Sequence, residues 1–211
     1  MAKRDSLAAF HAIRFLQSVP FGVRPPADRG REVAFAGRSN SGKSSALNAL
    51  TGRRGLARAS RTPGRTQAIN FFDLGDETRL VDLPGYGYAK VPEALQRQWR
   101  PLIEDYLQHR DSLSGLMLTV DCRREPTELE TLLLDWCAHS AMPVRLLLTK
   151  ADKLGRGEAA TVLRRWRAWL AEQGRTQVEV QLFSSQTGTG IDEAREALLD
   201  WLNFRQKKAP A

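Results

Sequence analysis

Short apolar runs alternate along the chain with longer segments in which apolar residues recur every three or four positions. The short runs predict buried strands, and the longer segments predict amphipathic helices. Strands that alternate with helices form a mostly parallel sheet with helices on both faces. The pattern therefore predicts an α/β fold with six strands, at residues 33–36, 68–74, 78–83, 116–120, 144–148 and 178–183.

The connection between the second and third predicted strands is unusually short. Gly75 and Asp76 are enough for a hairpin, so we expect one antiparallel strand at an edge of the sheet. Before the first predicted strand, residues 1–31 are interpreted as an N-terminal extension that ends in a turn-rich linker. The main domain is predicted over residues 32–204, followed by a basic tail over 205–211. The extension begins with an amphipathic segment that carries Leu7, Phe10, Ile13 and Leu16.

The net charge of +8 is unevenly distributed along the 211 residues. Residues 1–65 contain 13 Lys and Arg against 3 Asp and Glu, whereas the remaining residues contain 19 against 21. One lysine suffices to hold a nucleotide, so the remaining basic excess predicts a surface for a polyanion. A solvated basic loop without a partner is the alternative. The arginines concerned include Arg53, Arg54, Arg58, Arg61 and Arg65.

Two cysteines and the hydropathy pattern bear on the compartment. Cys122 and Cys137 have no CxxC partner and no histidine at metal-binding spacing, so we expect two reduced thiols with a structural role. No apolar run approaches the roughly 18 residues that a membrane span needs. The N-terminal apolar stretch is too interrupted for a signal peptide. We therefore expect a cytoplasmic protein with no membrane partner.

A phosphate-binding motif follows the first predicted strand. Gly37-Arg38-Ser39-Asn40-Ser41-Gly42-Lys43-Ser44 fits G-x-x-x-x-G-K-[ST], with a strand before it and a helix-forming run at 45–50 after it. Glycines let several backbone N–H groups turn toward one anion, and the helix N-terminus adds partial positive charge. Lys43 would reach the outer phosphates, and the Ser44 hydroxyl would be a hard oxygen ligand for Mg²⁺.

Two further segments predict the surroundings of the terminal phosphate. Asp82 and Gly85, in Asp82-Leu83-Pro84-Gly85, end a predicted strand; the carboxylate would join the Mg²⁺ shell through water, and the glycine N–H would meet the phosphate. In the loop before residue 68, Thr66 would be a second Mg²⁺ ligand that engages only with the γ-phosphate. Thr62 is the competing candidate for that role.

The base is predicted from Thr149-Lys150-Ala151-Asp152, which ends the fifth predicted strand. The Asp152 carboxylate can accept hydrogen bonds from the ring N–H and the exocyclic amine of guanine, a pair that adenine does not offer. Lys150 would lie along the base plane with its aliphatic stem. An ordinary turn in which the aspartate only caps a helix is the alternative. Ser184 and Ser185 would lie near a base carbonyl.

These motifs resemble the EngB (YihA/YsxC) family of bacterial small GTPases, a member of the TrmE-Era-EngA-EngB-Septin-like class. The resemblance covers roughly residues 25–203 and is carried by four segments. It implies a Ras-like P-loop GTPase fold, GTP binding with Mg²⁺, a role in assembly of the large ribosomal subunit, and a requirement in cell division and septation. The four segments are residues 37–45, residues 62–67 with Asn70-Phe71-Phe72, the run Asp82-Leu83-Pro84-Gly85-Tyr86-Gly87-Tyr88-Ala89, and residues 149–152.

Departures from the general GTPase pattern predict slow hydrolysis. Tyr86 stands where many GTPases carry the glutamine that orients the attacking water, and a phenol cannot replace that amide. No arginine finger is evident, although Arg65 is close enough in sequence to be considered. In related GTPases an asparagine at the position of Asn40 helps hold K⁺ beside the phosphates. Asn40 would either do so here or bond only within its own loop.

The predicted site is thus a single set of residues around GTP and Mg²⁺. Catalytic roles are predicted for Lys43, Asn40, Thr66 and Gly85, and Mg²⁺ contacts for Ser44, Thr66 and, through water, Asp82. The residues predicted to contact GTP are Gly37, Arg38, Ser39, Asn40, Ser41, Gly42, Lys43, Ser44, Ser45, Gly64, Arg65, Thr66, Gln67, Asp82, Leu83, Pro84, Gly85, Thr149, Lys150, Ala151, Asp152, Phe183, Ser184 and Ser185.

The function predicted from these features is a GTP-hydrolysing switch. Its expected partners are GTP and GDP and the large ribosomal subunit or its precursors, with rRNA or ribosomal proteins in contact; we expect a monomer that binds no DNA and no membrane. A non-catalytic, GTP-dependent binding module of the division machinery is the alternative. A P-loop kinase or ATPase is disfavoured by Asp152.

Overall fold

A computed structural model describes residues 7–20, 22–57, 68–86 and 93–203 of the chain. These residues form one sheet with helices packed against it. The strands are β1 (Arg14–Pro20), β2 (Arg31–Gly37), β3 (Ala68–Asp73), β4 (Thr78–Asp82), β5 (Leu113–Asp121), β6 (Val144–Thr149) and β7 (Val178–Leu182). The helices are α1 (Lys43–Thr51), α2 (Glu93–His109), α3 (Glu128–His139), α4 (Arg156–Glu172) and α5 (Ile191–Trp201), with a short 3₁₀ turn at Ala151–Lys153.

The seven strands lie in the order β1-β3-β4-β2-β5-β6-β7. Strand β3 is antiparallel to both of its neighbours, β1 and β4, and every other neighbouring pair is parallel. The predicted α/β class and its mostly parallel sheet are therefore confirmed. The sheet differs from the prediction in having seven strands rather than six, and its antiparallel strand lies one place in from the edge.

The additional strand is β1, which lies in the segment interpreted as an N-terminal extension. A β-bulge falls between Phe15 and Gln17, so the alternation of apolar and polar residues is interrupted within the strand. Phe10 and Ile13, just before the strand, are buried, whereas Leu16 is 41% exposed. The amphipathic segment thus contains helical residues at 7–8, a turn and then a bulged edge strand.

Each face of the sheet carries its own apolar cluster. Strand residues on one face pack with Tyr106 of α2, Trp136 of α3 and Trp166 of α4. On the other face they pack with Leu47 of α1 and Leu198 of α5. Because both faces are covered, the central parallel strands are mostly apolar along their middle residues, as their sequences predict.

The N-terminal end of β2 carries a buried charge cluster. The fully buried Glu32 accepts hydrogen bonds from Arg79 Nη1 at 2.8 Å, Arg110 Nη2 at 2.7 Å and the Tyr106 hydroxyl at 2.7 Å. Burial raises the pKa of Tyr106, which therefore stays a donor. The cluster joins β2, β4, the C-terminal turn of α2 and the residue after it, at the end of β2 opposite to the phosphate-binding motif.

The two cysteines are free and buried. Burial raises the pKa of Cys122 to about 11 and that of Cys137 to about 12, so both remain protonated thiols at neutral pH. Within the ranges described above, no helix is both long and apolar enough to span a membrane.

Candidate nucleotide-binding site

A cavity of about 980 Å³ opens where β2, β4 and β6 end. In open α/β sheets, ligands bind outside the carboxyl ends of the strands. Pockets for small molecules range up to about 1,000 Å³, so the volume is sufficient for a nucleotide. The residues lining the cavity are Phe15, Arg38, Ser39, Asn40, Gly42, Lys43, Ser44, Ser45, Gly55, Leu56, Ala57, Asn70, Phe72, Asp82, Gly85 and Lys150.

The loop between β2 and α1 is held by hydrogen bonds to residues near the carboxyl ends of β5 and β6. The Ser41 hydroxyl lies 2.7 Å from the Thr119 hydroxyl, and the Thr149 hydroxyl donates to the Ser41 carbonyl. Gly37 has no room for a side chain, because a Cβ there would lie 2.1 Å from Thr119 Oγ1. Gly42, with φ of 91°, turns the chain into α1.

Helix α1 therefore begins at the floor of the cavity. Its N-terminal residue Lys43 and the next residue, Ser44, both line the cavity. In the described part of the chain, no side chain caps this N-terminus. The first N–H groups of a helix lack partners within the helix, and with the helix dipole they favour an anion at this place.

Lys43 and Asp82 form an ion pair within the cavity. The ammonium contacts Asp82 Oδ1, and the two side chains are only 11% and 10% exposed. The sequence analysis assigns Lys43 to the phosphates and Asp82 to the metal shell, and the structure brings these two groups into direct contact. A phosphate would have to exchange with Asp82 as the partner of this ammonium.

The donors around this pair fit a magnesium ion. The Ser44 hydroxyl and the Asp82 carboxylate are hard oxygen groups that line the same cavity. Mg²⁺ is commonly bound by one or two such protein groups together with waters and substrate phosphates. The described residues contain no group of three or more His, Cys, Asp or Glu that could hold a metal without such phosphates.

The segment after β4 continues alongside the phosphate loop. Leu83 N–H donates to the Phe35 carbonyl at 3.0 Å, Tyr86 N–H to the Gly37 carbonyl at 3.3 Å, and Ser39 N–H to the Tyr86 carbonyl at 2.9 Å. This pairing places Gly85 against the loop and in the cavity wall.

The Tyr86 side chain points away from the cavity. It is 2% exposed, is not among the residues that line the cavity, and donates from its hydroxyl to Glu130 Oε1 at 3.3 Å. Burial raises the pKa of this phenol well above its usual value. The other oxygen of Glu130 accepts the Thr127 N–H at 2.9 Å and so caps α3.

At the other end of the cavity, Lys150 spans from β6 to the phosphate loop. Its backbone φ is 59°, and its ammonium donates to the Asn40 carbonyl at 2.8 Å and pairs with Asp121 Oδ2 at 2.9 Å. Asn40 itself has a φ of 65°. The phosphate loop and the 149–152 segment, far apart in sequence, thus meet through one side chain.

Asp152 lies in the 3₁₀ turn beside the residues that follow β7. Its Oδ1 accepts the Ser184 hydroxyl at 2.7 Å, and its Oδ2 pairs with Lys153 at 3.2 Å. The hydrogen bond from Ser184 lowers the pKa of Asp152, so the carboxylate is ionised at neutral pH. Ala151 N–H donates to the Phe183 carbonyl at 3.2 Å, which fixes the turn against the end of β7.

The structure groups most of the predicted site residues and leaves a few outside its description. Residues of the phosphate loop, Asp82, Gly85 and Lys150 line the cavity itself. Thr149, Asp152 and Ser184 belong to the contacts described above rather than to the cavity wall. Thr62, Gly64, Arg65, Thr66 and Gln67 lie outside the described residues, so their assignments stay predictions.

Asp121 is the charged residue beside this cavity that the sequence analysis missed, and the cavity wall also includes residues that were not predicted, namely Phe15, Gly55, Leu56, Ala57, Asn70 and Phe72. Asp121 is 8% exposed, ends β5 and pairs with Lys150. The sequence signal that could have identified it is a carboxylate at the carboxyl end of a buried strand. The phosphate loop and the Lys150 segment follow the same ends of neighbouring strands.

Comparison with known proteins finds similarity to GTP-binding proteins. The family model described as "50S ribosome-binding GTPase" matches residues 32–150. A protein of Methylococcus capsulatus named "Probable GTP-binding protein EngB" is 48% identical over 94% of this chain and 96% of its own length. One of the same name from Azoarcus is 54% identical over 87% of each chain.

A solved structure supports the fold. The crystal structure of a probable GTP-binding protein EngB superposes with a TM-score of 0.64 at 21% identity, over 82% of this chain and all of that one (100%). At this identity the similarity concerns the arrangement of strands and helices, which agrees with the Ras-like α/β topology described above.

Proposed function

Since the chain belongs to the EngB family of GTP-binding proteins and is a GTPase, we propose that it works as a slow GTP-hydrolysing switch in assembly of the large ribosomal subunit. The observation that carries this proposal is the convergence of the phosphate loop, Asp82, Gly85 and Lys150 on one cavity. The protein acts in the cytoplasm as a monomer, and normal cell division and septation depend on it.

The geometry supports GTP as the nucleotide. Lys43 exchanges Asp82 for the outer phosphates, whose negative charge also faces the N-terminus of α1. At the other end, Asp152 accepts the two guanine donors, while the stem of Lys150 lies along the base. The hydrogen bond from Ser184 holds Asp152 ionised and oriented for this contact.

Ser44 and, through water, Asp82 would hold Mg²⁺, and Thr66 would complete the set. When bound, the ion neutralises negative charge on the phosphate oxygens. The protein groups then need only position the phosphates, which Lys43, Gly85 and the loop N–H groups do.

Slow turnover follows from the position of Tyr86. Its hydroxyl is committed to Glu130 behind the cavity wall and does not orient a water at the phosphates. Asn40 would help hold K⁺, which would supply the missing positive charge. Hydrolysis rates compared in K⁺ and Na⁺ buffers test this: we expect faster turnover in K⁺, and equal rates would assign Asn40 to loop structure alone.

The described surface around β1 supports an RNA contact. Phe15 is 57% exposed and Leu16 is 41% exposed. The exposed Arg53 donates to the His11 carbonyl at 3.4 Å, which places the basic segment with Arg54 beside the approach to β1. Exposed aromatic rings beside arginines suit single-stranded RNA, in which bases stack and phosphates pair with guanidinium groups.

The test is co-sedimentation with large-subunit precursor particles in GTP or GDP across a salt series. We expect binding that requires GTP and weakens steeply with salt. A double variant, Arg53→Gln with Arg54→Gln, should weaken binding about tenfold without changing GTP turnover. The matched control is Arg164→Gln with Arg167→Gln, which removes the same charge from exposed positions on α4.

Two results would contradict the proposal. The first is binding that is equal in GTP and GDP. The second is salt-insensitive association with a septal protein in place of the particles, which would favour a binding module of the division machinery.

A further inference from the structure

A carboxylate outside the recognised motifs holds the base-binding lysine. Asp121, the last residue of β5, pairs with Lys150 through Oδ2 at 2.9 Å. The same carboxylate accepts two hydrogen bonds from Arg123, from Nε at 2.9 Å and from Nη2 at 2.7 Å. The bonds from Arg123 and Lys150 lower the pKa of Asp121, so the group is ionised at neutral pH.

The two cations on this carboxylate have different surroundings. Lys150 lines the nucleotide cavity and donates onward to the Asn40 carbonyl at 2.8 Å. The Arg123 side chain is 51% exposed and is not among the residues that line the cavity. The path from Asp121 to the nucleotide therefore runs through Lys150.

We propose that Asp121 is a positioning residue for guanine-nucleotide binding, which holds the Lys150 ammonium on the phosphate loop so that its aliphatic stem forms a wall for the base. The inference rests on the roles proposed above for Lys150 and Asp152. A long lysine side chain loses considerable rotamer freedom when it is fixed, so a pre-paired ammonium removes that cost from nucleotide binding.

The position of Asp121 beside the lysine segment follows from the strand register. Parallel pairing of β5 with β6 sets Asp121 opposite Thr149, which is one residue before Lys150. The strand register therefore places Asp121 beside the lysine.

The experiment measures the dissociation constant of N-methylanthraniloyl-GDP for the full chain. Asp121→Asn removes the charge at nearly constant volume, and we expect about tenfold weaker binding, while kcat at saturating GTP stays within about twofold. Arg123→Gln is the matched control, since it removes the other partner of the same carboxylate, and it should change binding by less than about twofold.

A double-mutant cycle identifies the route of the effect. Lys150→Met keeps an apolar stem and removes the ammonium. In that background, Asp121→Asn should change the dissociation constant by less than about twofold. An undiminished tenfold loss there would overturn the proposal, as would equal losses from Asp121→Asn and Arg123→Gln, because either shows a role in the β5 turn rather than in holding Lys150.

Folding and the site assignment are checked separately. Asp121→Glu keeps the charge and should recover most of the affinity. If Asp121→Asn does not fold, the comparison of Lys150→Met with Arg123→Gln decides: about a tenfold loss in the first and none in the second supports the proposal, and equal losses overturn it. If Asp152→Asn leaves guanine preference unchanged, the proposed function fails as well, whereas normal behaviour of that variant confines the failure to Asp121.

Discussion

The two ends of the nucleotide cavity differ in how their charged groups are held. At the proposed base end, Lys150 in the cavity wall is fixed by Asp121, and Asp152, which does not line the cavity, is fixed by Ser184. At the phosphate end, Lys43 and Asp82 are each other's partners. The base end can accept guanine with its groups in place, whereas the phosphate end must exchange partners. From this difference we expect the base to be recognised by side chains already in place and the phosphates by side chains that must change partners.

The strongest way to break the phosphate end is to remove its ammonium. Lys43→Ala takes away the phosphate contact and leaves Asp82 nearly buried without that cation. We expect nucleotide affinity to fall by about a thousandfold, or ~4 kcal/mol, by equilibrium titration with labelled GDP. Arg165→Ala, which breaks the exposed pair with Glu125, serves as the control and should leave affinity unchanged. A loss below tenfold would mean that the phosphates do not use Lys43.

A change far from both ends sharpens the comparison by separating stability from binding. Glu32→Ala leaves Arg79 and Arg110 nearly buried without their common partner and should lower the free energy of unfolding by about 3 kcal/mol. Urea unfolding measures the loss, and the nucleotide affinity of the folded variant should be unchanged. For comparison, Glu179→Ala breaks a pair in which the carboxylate is 71% exposed and should cost less than about 1 kcal/mol.

The base end is tested by changing its donor pattern. Asp152→Asn keeps an oxygen for the Ser184 hydroxyl but puts an N–H group where guanine presents its own donors. We expect GTP affinity to fall about a hundredfold and xanthosine triphosphate to become the better ligand. Competition of both triphosphates for labelled nucleotide measures the preference. An unchanged preference for guanine would remove Asp152 from the base site.

The smallest expected effect concerns Tyr86. Tyr86→Phe removes the hydrogen bond to Glu130, which keeps its contacts with Thr127, so unfolding should become easier by about 1 kcal/mol. Because the hydroxyl faces away from the cavity, kcat for GTP should not change. A clear fall in kcat without a change in KM would place the phenol in the chemistry after all.

Local patterns predicted the parts of the molecule that depend on short stretches of chain. The phosphate loop requires glycine at position 37 because a side chain would clash there, and at position 42 because the backbone φ is positive. Both requirements are visible in the local sequence motif. The α/β class was predicted because each strand and helix has its own apolar period within a short stretch of sequence. The contact between Asp152 and Ser184 shows that the two segments meet, and their place beside the base stays a prediction.

Features that depend on long-range pairing were not predicted. Strand β1 was missed because its bulge interrupts the two-residue period that identifies a strand. Asp121 was missed because a single carboxylate does not form a recognisable sequence motif. Its contact with Lys150 exists only when β5 lies beside β6. The Lys43–Asp82 pair joins residues that had been given separate partners, and only the folded chain shows that they touch.

The bulged strand at the edge of the sheet has a practical consequence for shortened forms of the protein. A chain that begins at residue 25 would keep every nucleotide motif, yet it would lose β1, leave the outer edge of β3 unpaired and uncover Phe72, whose ring packs edge-on against Phe15. Unpaired strand edges recruit other chains. Such a truncation would therefore self-associate and precipitate, for reasons unrelated to its catalytic residues.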